Sequence, residues 1–285
     1  QLAFVDQAIR VTLENEMLMK DFVRIAQSKY ALGRGLQQDV LKAQVSLSAL
    51  RSRLIELRRM RKTGEVDLNL VLNRASTAPV GRPGEVSLRP VGASLEKVQE
   101  LALANRPVLE AAEQGVQQWA AAEKAARKGL WPTLTLSLGY RQRSNRLMDP
   151  VQGSDFLSFG VGMNLPIFQG RKQRQKIVEF RSNRSRAEAG REAARQQILA
   201  QVRIIYDRIA QHAGQAELFR TAILPQSQQS LRSARSGYQV DKVDFLTLLN
   251  NQVTLLNHEI AYYGHVTAHE GQVAQLEAMT GTPLH

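Results

Sequence analysis

Cysteine is absent from the 285 residues. That absence removes disulfides, thiolate nucleophiles, cysteine-bearing metal sites and a cysteine-borne lipid anchor together. Aromatic residues are scarce, at 6%. Ala, Leu, Gln, Arg and Glu make up about half of the chain, a balance that points to long helices rather than a β-sandwich or an α/β enzyme. No apolar run approaches the roughly 18–20 residues of a membrane-spanning helix. Gln1–Arg10 also lacks the charged stretch and apolar block of a signal peptide. The chain instead opens inside an amphipathic pattern of Leu2, Val5, Ile9 and Leu13, so a processed or truncated chain is expected. There is no phosphate-cradling glycine loop and no nucleophile elbow. Catalytic residues and cofactors are therefore not expected.

Acidic residues are outnumbered, giving a formal charge of +12 and a pI near 10.3. Nucleic acid, anionic lipid and an acidic partner are the usual meanings of such a surplus. Here the cations are spread widely, with their densest run at Arg171 to Arg195 and no nucleic-acid fold motif beside it. A solvated helix face explains that run, and no nucleic-acid partner is expected. Of the five histidines, His265 and His269 have the i, i+4 spacing that can share a metal, with Glu270 nearby. No cysteine or further acidic ligand completes the set, so these read as surface or interhelix histidines and no metal site is expected.

Hydrophobic spacing divides the chain. Helical spacing over residues 2–29 stops near Gly33 and Gly35, then resumes from Val40 through Leu57 towards Leu72. This predicts a first helical hairpin over 1–75 with its tip at about 30–38. Residues 76–93 hold Pro79, Gly81, Pro83, Gly84, Pro90 and Gly92, a linker with a short extended piece at Val86–Leu88. Ser94 is a candidate N-cap, and Pro107 suits a first helical turn, so 94–131 reads as two helices ending before Trp131-Pro132.

The period then changes to two. Leu134, Leu136, Leu138 and Tyr140 alternate with small or polar residues, as do Leu157, Phe159, Val161, Met163 and Leu165 after a polar loop. Residues 132–168 thus read as a β-hairpin of the length and alternation of transmembrane barrel strands. From Gly170 helical spacing returns to about Arg235, interrupted only by Pro225, which predicts a helix of about 65 residues and roughly 100 Å. A turn near 237–243 and a last helix to Met279 complete a second long hairpin over 169–285.

The two helical hairpins repeat at an offset of 208 residues. That offset pairs Ala26 with Ala234, Ser28 with Ser236, Tyr30 with Tyr238, Gln44 with Gln252, Val45 with Val253 and Leu68 with Leu276. One fixed offset from equivalent turns argues for a duplicated unit. Counting back from Ser94 places the first unit's start roughly 115 residues before Gln1, so the first repeat is expected to be incomplete, lacking its own β-hairpin.

These residues resemble the TolC-like outer-membrane efflux family. The resemblance is carried by Tyr30-x-x-Gly33 with Asp39-Val40-Leu41-x-Ala43-Gln44. It continues in Leu224-Pro225-Gln226, Tyr238 and Asp244-Phe245-Leu246-x-x-Leu249-x-x-Gln252. Arg106-Pro107-x-Leu109, Trp131-Pro132 and Asn164-Leu165-Pro166-Ile167-Phe168 complete it. It implies a mainly α fold of long antiparallel helical hairpins, of α-barrel or coiled-coil type, with one β-hairpin of a transmembrane β-barrel. It also implies an outer-membrane location with most of this chain in the periplasm, and a homotrimeric duct. The implied partners are a periplasmic adaptor protein, an inner-membrane efflux pump and outer-membrane lipid. The linker and the C-terminal end would be equatorial. The tip from Gln239 to Leu246 and the stretch from Tyr262-Tyr263 to Leu276-Glu277 look closest to the heavy-metal or cation branch. Two departures stand out. Position 241 is Asp where the family usually has Gly, so the second tip is expected to turn differently. The chain also carries two of the four barrel strands implied for each subunit.

In a trimeric duct every pore-facing charge is tripled, and rings of Asp select or gate cations. Asp39, Asp241 and Asp244 are therefore gate candidates, with Asp241 and Asp244 three apart and expected to share a helix face. Helix N-capping is the plain alternative. Tyr30 and Tyr238 are candidates for holding the entrance closed, against simple packing. Leu32, Gly33 and Val240 are candidates for adaptor docking. Two other functions compete: a periplasmic coiled-coil scaffold or adaptor without channel activity, and a basic helical nucleic-acid-binding protein. The first does not explain the long alternating hairpin; the second predicts steeply salt-dependent binding.

Overall fold

The computed structural model describes residues 1–84, 86–143, 153–165, 167 and 171–284. The chain is a succession of helices interrupted by a single hairpin of strands: α1 (Leu2–Ala31), α2 (Gln37–Val71), α3 (Leu95–Asn105), α4 (Pro107–Lys128), β1 (Thr133–Arg141), β2 (Phe156–Asn164), α5 (Gln173–Leu218), α6 (Leu224–Gln239) and α7 (Phe245–Thr280). Pro166, Phe168 and most of the loop between the strands lie outside the described residues. Two compact units result, one of residues 1–101 with 201–285 and one of residues 102–200.

The first unit is built on a heptad pattern. Along α1 the buried residues include Val5, Ala8, Thr12, Asn15, Met19, Phe22 and Ala26, an unbroken alternation of three and four. Along α7 the same alternation runs through Phe245, Leu248, Gln252 and Leu255, and later through Val266, His269, Val273, Leu276 and Thr280. A 3.5-residue average keeps one seam facing a neighbouring helix, which is coiled-coil packing. The seams of α1 and α7 meet, and α2 and α6 pack beside them around Phe22, Leu50, Leu231, Phe245 and Leu248. Burying a side chain such as fully enclosed Phe22 contributes about 1.5–3 kcal/mol.

The long helix foreseen across Pro225 is not uniform. Between α5 and α6 the residues Phe219–Ile223 form a π-helical turn. Pro225 has no N–H for the carbonyl four residues earlier and its ring crowds that carbonyl. A single wider turn accommodates the misfit without ending the helix.

Residues 86–88 are not strand. The linker is instead strapped down by side chains. Arg89 gives its guanidinium and its backbone N–H to the Glu270 carboxylate, at 2.9–3.1 Å. The buried Asn69 amide donates to the Ala78 carbonyl at 2.9 Å. Ser94 accepts from the Lys97 N–H at the start of α3, as an N-cap should. Leu284 accepts from Gly92.

In the second unit β1 and β2 pair antiparallel, setting Leu134 opposite Met163, Leu136 opposite Val161, Leu138 opposite Phe159 and Tyr140 opposite Leu157. All eight side chains are exposed. The other face carries Ser137 opposite Gly160 and Gly139 opposite Ser158. Each serine hydroxyl donates to the facing glycine carbonyl, and a Cβ on Gly139 or Gly160 would sit 2.7–2.8 Å from it. Beside the hairpin α4 and α5 hold each other through Trp119 and Phe180, 6.1 Å apart, and through Arg191 on Glu113 at 2.8 Å. The buried Glu123 is surrounded by Arg127, Arg181 and Arg184. The hydrogen bond from Arg127, with Arg181 adding to it, holds the Glu123 carboxyl below the usual carboxylate range.

Candidate functional site

The two helical tips lie in the first unit and are built alike. In the first, Gly33 adopts φ +67°. Its N–H donates to the Tyr30 carbonyl and that of Arg34 to Lys29, both at 2.9 Å. In the second, Asp241 adopts φ +63°, its N–H reaches the Tyr238 carbonyl at 3.4 Å, and that of Lys242 reaches Gly237 at 2.9 Å. Every one of these positions corresponds at the 208-residue offset. The expectation that Asp241 makes the second tip turn differently is therefore corrected. Asp takes the left-handed conformation that Gly takes in the first tip, and with Asn it is among the residues that tolerate this best.

Side-chain size is exchanged between the tips. A Cβ on Gly35 would lie 3.0 Å from the Lys29 Cβ, and one on Gly237 would lie 2.5 Å from Val243 Cγ2. Gly35 corresponds to Val243 and Lys29 to Gly237. Each turn thus needs one small residue where its two arms touch, and the two repeats place it on opposite arms.

Asp241 and Asp244 do not share a helix face. α6 ends at Gln239 and α7 begins at Phe245, so both lie in the turn. Asp244 is the N-cap of α7 and accepts from the Thr247 N–H at 2.6 Å. That hydrogen bond draws its carboxyl below the ordinary value, with Lys42 adding to the effect. Asp39 sits in the first turn of α2, where a negative charge complements the helix dipole.

The tyrosines differ although they correspond by repeat. Tyr30 is 49% exposed and Tyr238 5%. Tyr238 stacks edge-on with Phe245, ring centres 5.6 Å apart. Burial, with Asp39 and Asp241 nearby, pushes its hydroxyl above the ordinary phenol range. Leu32, Gly33 and Val240 are exposed on the turns.

Sequence reasoning overlooked the residue that joins the tips, Lys29. Its ammonium donates both to the Tyr238 carbonyl and to the Asp241 carboxylate and stands 4.3 Å from the Tyr238 ring centre. The side chain is 13% exposed. A charge so enclosed needs its acceptors, so this three-point contact fastens the end of α1 to the second turn. Its only sequence signal was that the repeat puts Gly237 where the first tip has Lys29.

Further along, the seam contains polar residues. Gln252 donates to the Asn15 side chain, and Asn15 in turn donates to the Val11 carbonyl and, at 3.5 Å, to Glu259. Burial raises the Glu259 carboxyl above its ordinary range. His265 and His269 turn to different neighbours. The Nδ1 of His265 faces Nδ1 of His212 at 3.3 Å, and that of His269 faces Glu270 at 3.0 Å. Burial and the facing His265 push His212 below its ordinary value. Among the described residues no group of three or more His, Cys, Asp or Glu could hold a metal ion.

Known proteins share this architecture. The Outer membrane efflux protein family model matches residues 98–282. CyaE of Bordetella pertussis is 25% identical over 204 residues, covering 68% of this chain and 42% of that protein. The outer membrane protein VceC of Vibrio cholerae superposes with a TM-score of 0.82 at 18% identity, over all of this chain and 68% of that one. A membrane protein of Pseudomonas aeruginosa gives 0.86 at 21%, over 99% and 63%, and CusC gives 0.83 at 16%, over 99% and 66%. The chain spans less than half the length of CyaE and about two thirds of these solved chains. With the family model matching well over half of its residues, this chain belongs to the outer membrane efflux protein family.

Proposed function

We propose that the chain contributes the periplasmic entrance and part of the membrane barrel to one subunit of a homotrimeric outer-membrane efflux duct. In this reading the duct is passive. It receives cargo from an inner-membrane pump through a periplasmic adaptor that docks on the tips at Leu32, Gly33 and Val240. The observation that carries the reading is the β-hairpin. Its nine-residue strands present eight exposed apolar side chains on one face, and strands of about 9–11 residues are what a bilayer crossing needs. No helix among the described residues is long and apolar enough to cross a membrane, so the hairpin is the element offered to lipid.

The contact of Lys29 with Asp241 and the Tyr238 carbonyl acts as a latch that keeps the tips together, and Asp39, Asp241 and Asp244 supply negative charge at the narrowed entrance. Metal cations are the cargo to test first, because the tip from Gln239 to Leu246 resembles that branch of the family. The decisive measurement joins this chain to its native N-terminal region and reads mass in mild detergent and conductance in planar bilayers. A stable trimer with steady, cation-preferring pores is expected, and Asp241→Asn with Asp244→Asn should weaken that preference. A monomer or dimer without pores would overturn the duct and favour a coiled-coil scaffold.

A further inference from the structure

The residues beside the hairpin carry a charge pattern that the duct reading leaves unused. At the end of α4 stand Lys124, Arg127 and Lys128, and at the start of α5 stand Arg171, Lys172, Arg174 and Lys176. All are exposed. From Lys124 to Arg143 and from Phe156 to Val178 the sequence has no Asp or Glu. Glu123, the nearest buried carboxylate, already holds Arg127, Arg181 and Arg184.

Placement makes the pattern informative. Cations at the C-terminal end of α4 complement its dipole, but the same charges at the N-terminus of α5 oppose it, and the first turn of α5 has no acidic residue to offset them. Four cations at that end need an anion from outside the helix. Their depth also matches a headgroup layer. Lys124 to Lys128 span about 6 Å of helix rise, which fits a headgroup region of roughly 5–8 Å on each side of the hydrocarbon, and Arg171 and Lys172 lie in the turn that leads into α5. At the junction with β1 Trp131 is 77% exposed, and Leu165 and Ile167 are exposed beyond β2. Tryptophan at the rim of an apolar band is the residue of a membrane interface.

We infer that these cations form a lipid-docking collar for the anionic phospholipid headgroups of the leaflet on the helical side of the hairpin. The inference rests on the hairpin lying in a bilayer. The ligand is the phosphodiester of a membrane surface, held by many weak charge contacts rather than in a pocket, so dissolved phosphate should not compete.

The test mixes the whole chain with vesicles of phosphatidylethanolamine alone, or with one third phosphatidylglycerol, and reads the bound share by flotation. Phosphatidylglycerol should tighten binding at least tenfold at low salt, with the gain shrinking at high salt. A Lys124→Gln, Lys128→Gln, Lys172→Gln, Lys176→Gln variant should lose most of that gain, because each cation near an anionic surface adds to the attraction. An Arg53→Gln, Arg58→Gln, Arg59→Gln, Lys62→Gln variant on α2 should keep it, and millimolar inorganic phosphate should leave it unchanged. Equal loss in the two quadruple variants would overturn the collar, leaving only the charge of the whole chain. Binding indifferent to phosphatidylglycerol would overturn it too. Leu136→Asp with Phe159→Asp separates the readings. It should abolish binding to both kinds of vesicle. Unchanged binding to the uncharged vesicles would instead sink the hairpin's place in the membrane, and the collar with it.

Discussion

Asp241 performs two jobs that substitution can separate. Its backbone is left-handed, and its carboxylate receives Lys29. Asp241→Gly should keep the turn while losing the ion pair; Asp241→Val should lose both, and the strained backbone alone should cost about 1–2 kcal/mol. Urea unfolding of the two variants, read by circular dichroism, checks this order; equal stabilities would mean that the turn carries no conformational constraint. Gly237 is tested by its neighbour. Gly237→Ala presses on Val243 and should destabilise by about 1–3 kcal/mol. Adding Val243→Gly, which copies the arrangement of the first tip, should recover part of that loss. No recovery would show that the cost arises within the helix end and not from the approach of the two arms.

At the scale of helices, the α1–α7 seam mixes apolar layers with Asn15, Gln252 and Glu259. Polar side chains at such positions lower stability but specify register. Asn15→Leu with Gln252→Leu should therefore raise the unfolding midpoint while broadening the range of assembly states seen by light scattering. The seam should also sense pH. Burial raises the folded-state carboxyl of Glu259 above the ordinary value, with Glu14 adding and Asn15 and Arg10 opposing. Between the ordinary value of 4.5 and the raised one, the folded chain holds a proton that the unfolded chain has released. Stability from this group is thus present at low pH and lost as pH rises through the raised value. Asp244 has the opposite sign: hydrogen bonding to Thr247 lowers its value, so its stabilisation is present above 3.8 and lost as pH falls through the lowered value. Thermal melts from about pH 2 to pH 7 should show Glu259→Gln flattening the first slope and Asp244→Ala removing the second. If Glu259→Gln leaves the profile unchanged, the carboxyl is solvated in the assembled protein.

At the scale of the whole molecule, exposed apolar residues mark the surfaces that the proposed duct would cover. Tyr30 is open while its repeat counterpart Tyr238 is enclosed. In a ring of alternating hairpins the surface around Tyr30 would meet the second hairpin of a neighbouring subunit. Tyr30→Glu should therefore leave the circular dichroism of the chain unchanged and lower the trimer fraction of the N-terminally extended protein. A change in the isolated chain's stability would place Tyr30 in its own fold instead.

Periodicity determined much of this protein. Helical spacing specified the long helices, the alternation from Leu134 to Tyr140 specified a strand with one apolar face, Gly33 and Gly35 announced the first turn, and Pro225 announced an interruption. The 208-residue offset even contained the left-handed turn at Asp241, because Gly33 holds the matching position. These features are local or repeat-wide, set by backbone preference and by which face must leave water, so they can be read along the chain. Only the tertiary structure decided which of two matching tyrosines is enclosed, that Lys29 latches onto a turn more than 200 residues away, and that His265 faces His212 rather than His269. Such contacts depend on how packed helices bring distant side chains together, and a buried charge or polar group is held by whatever acceptor that packing supplies.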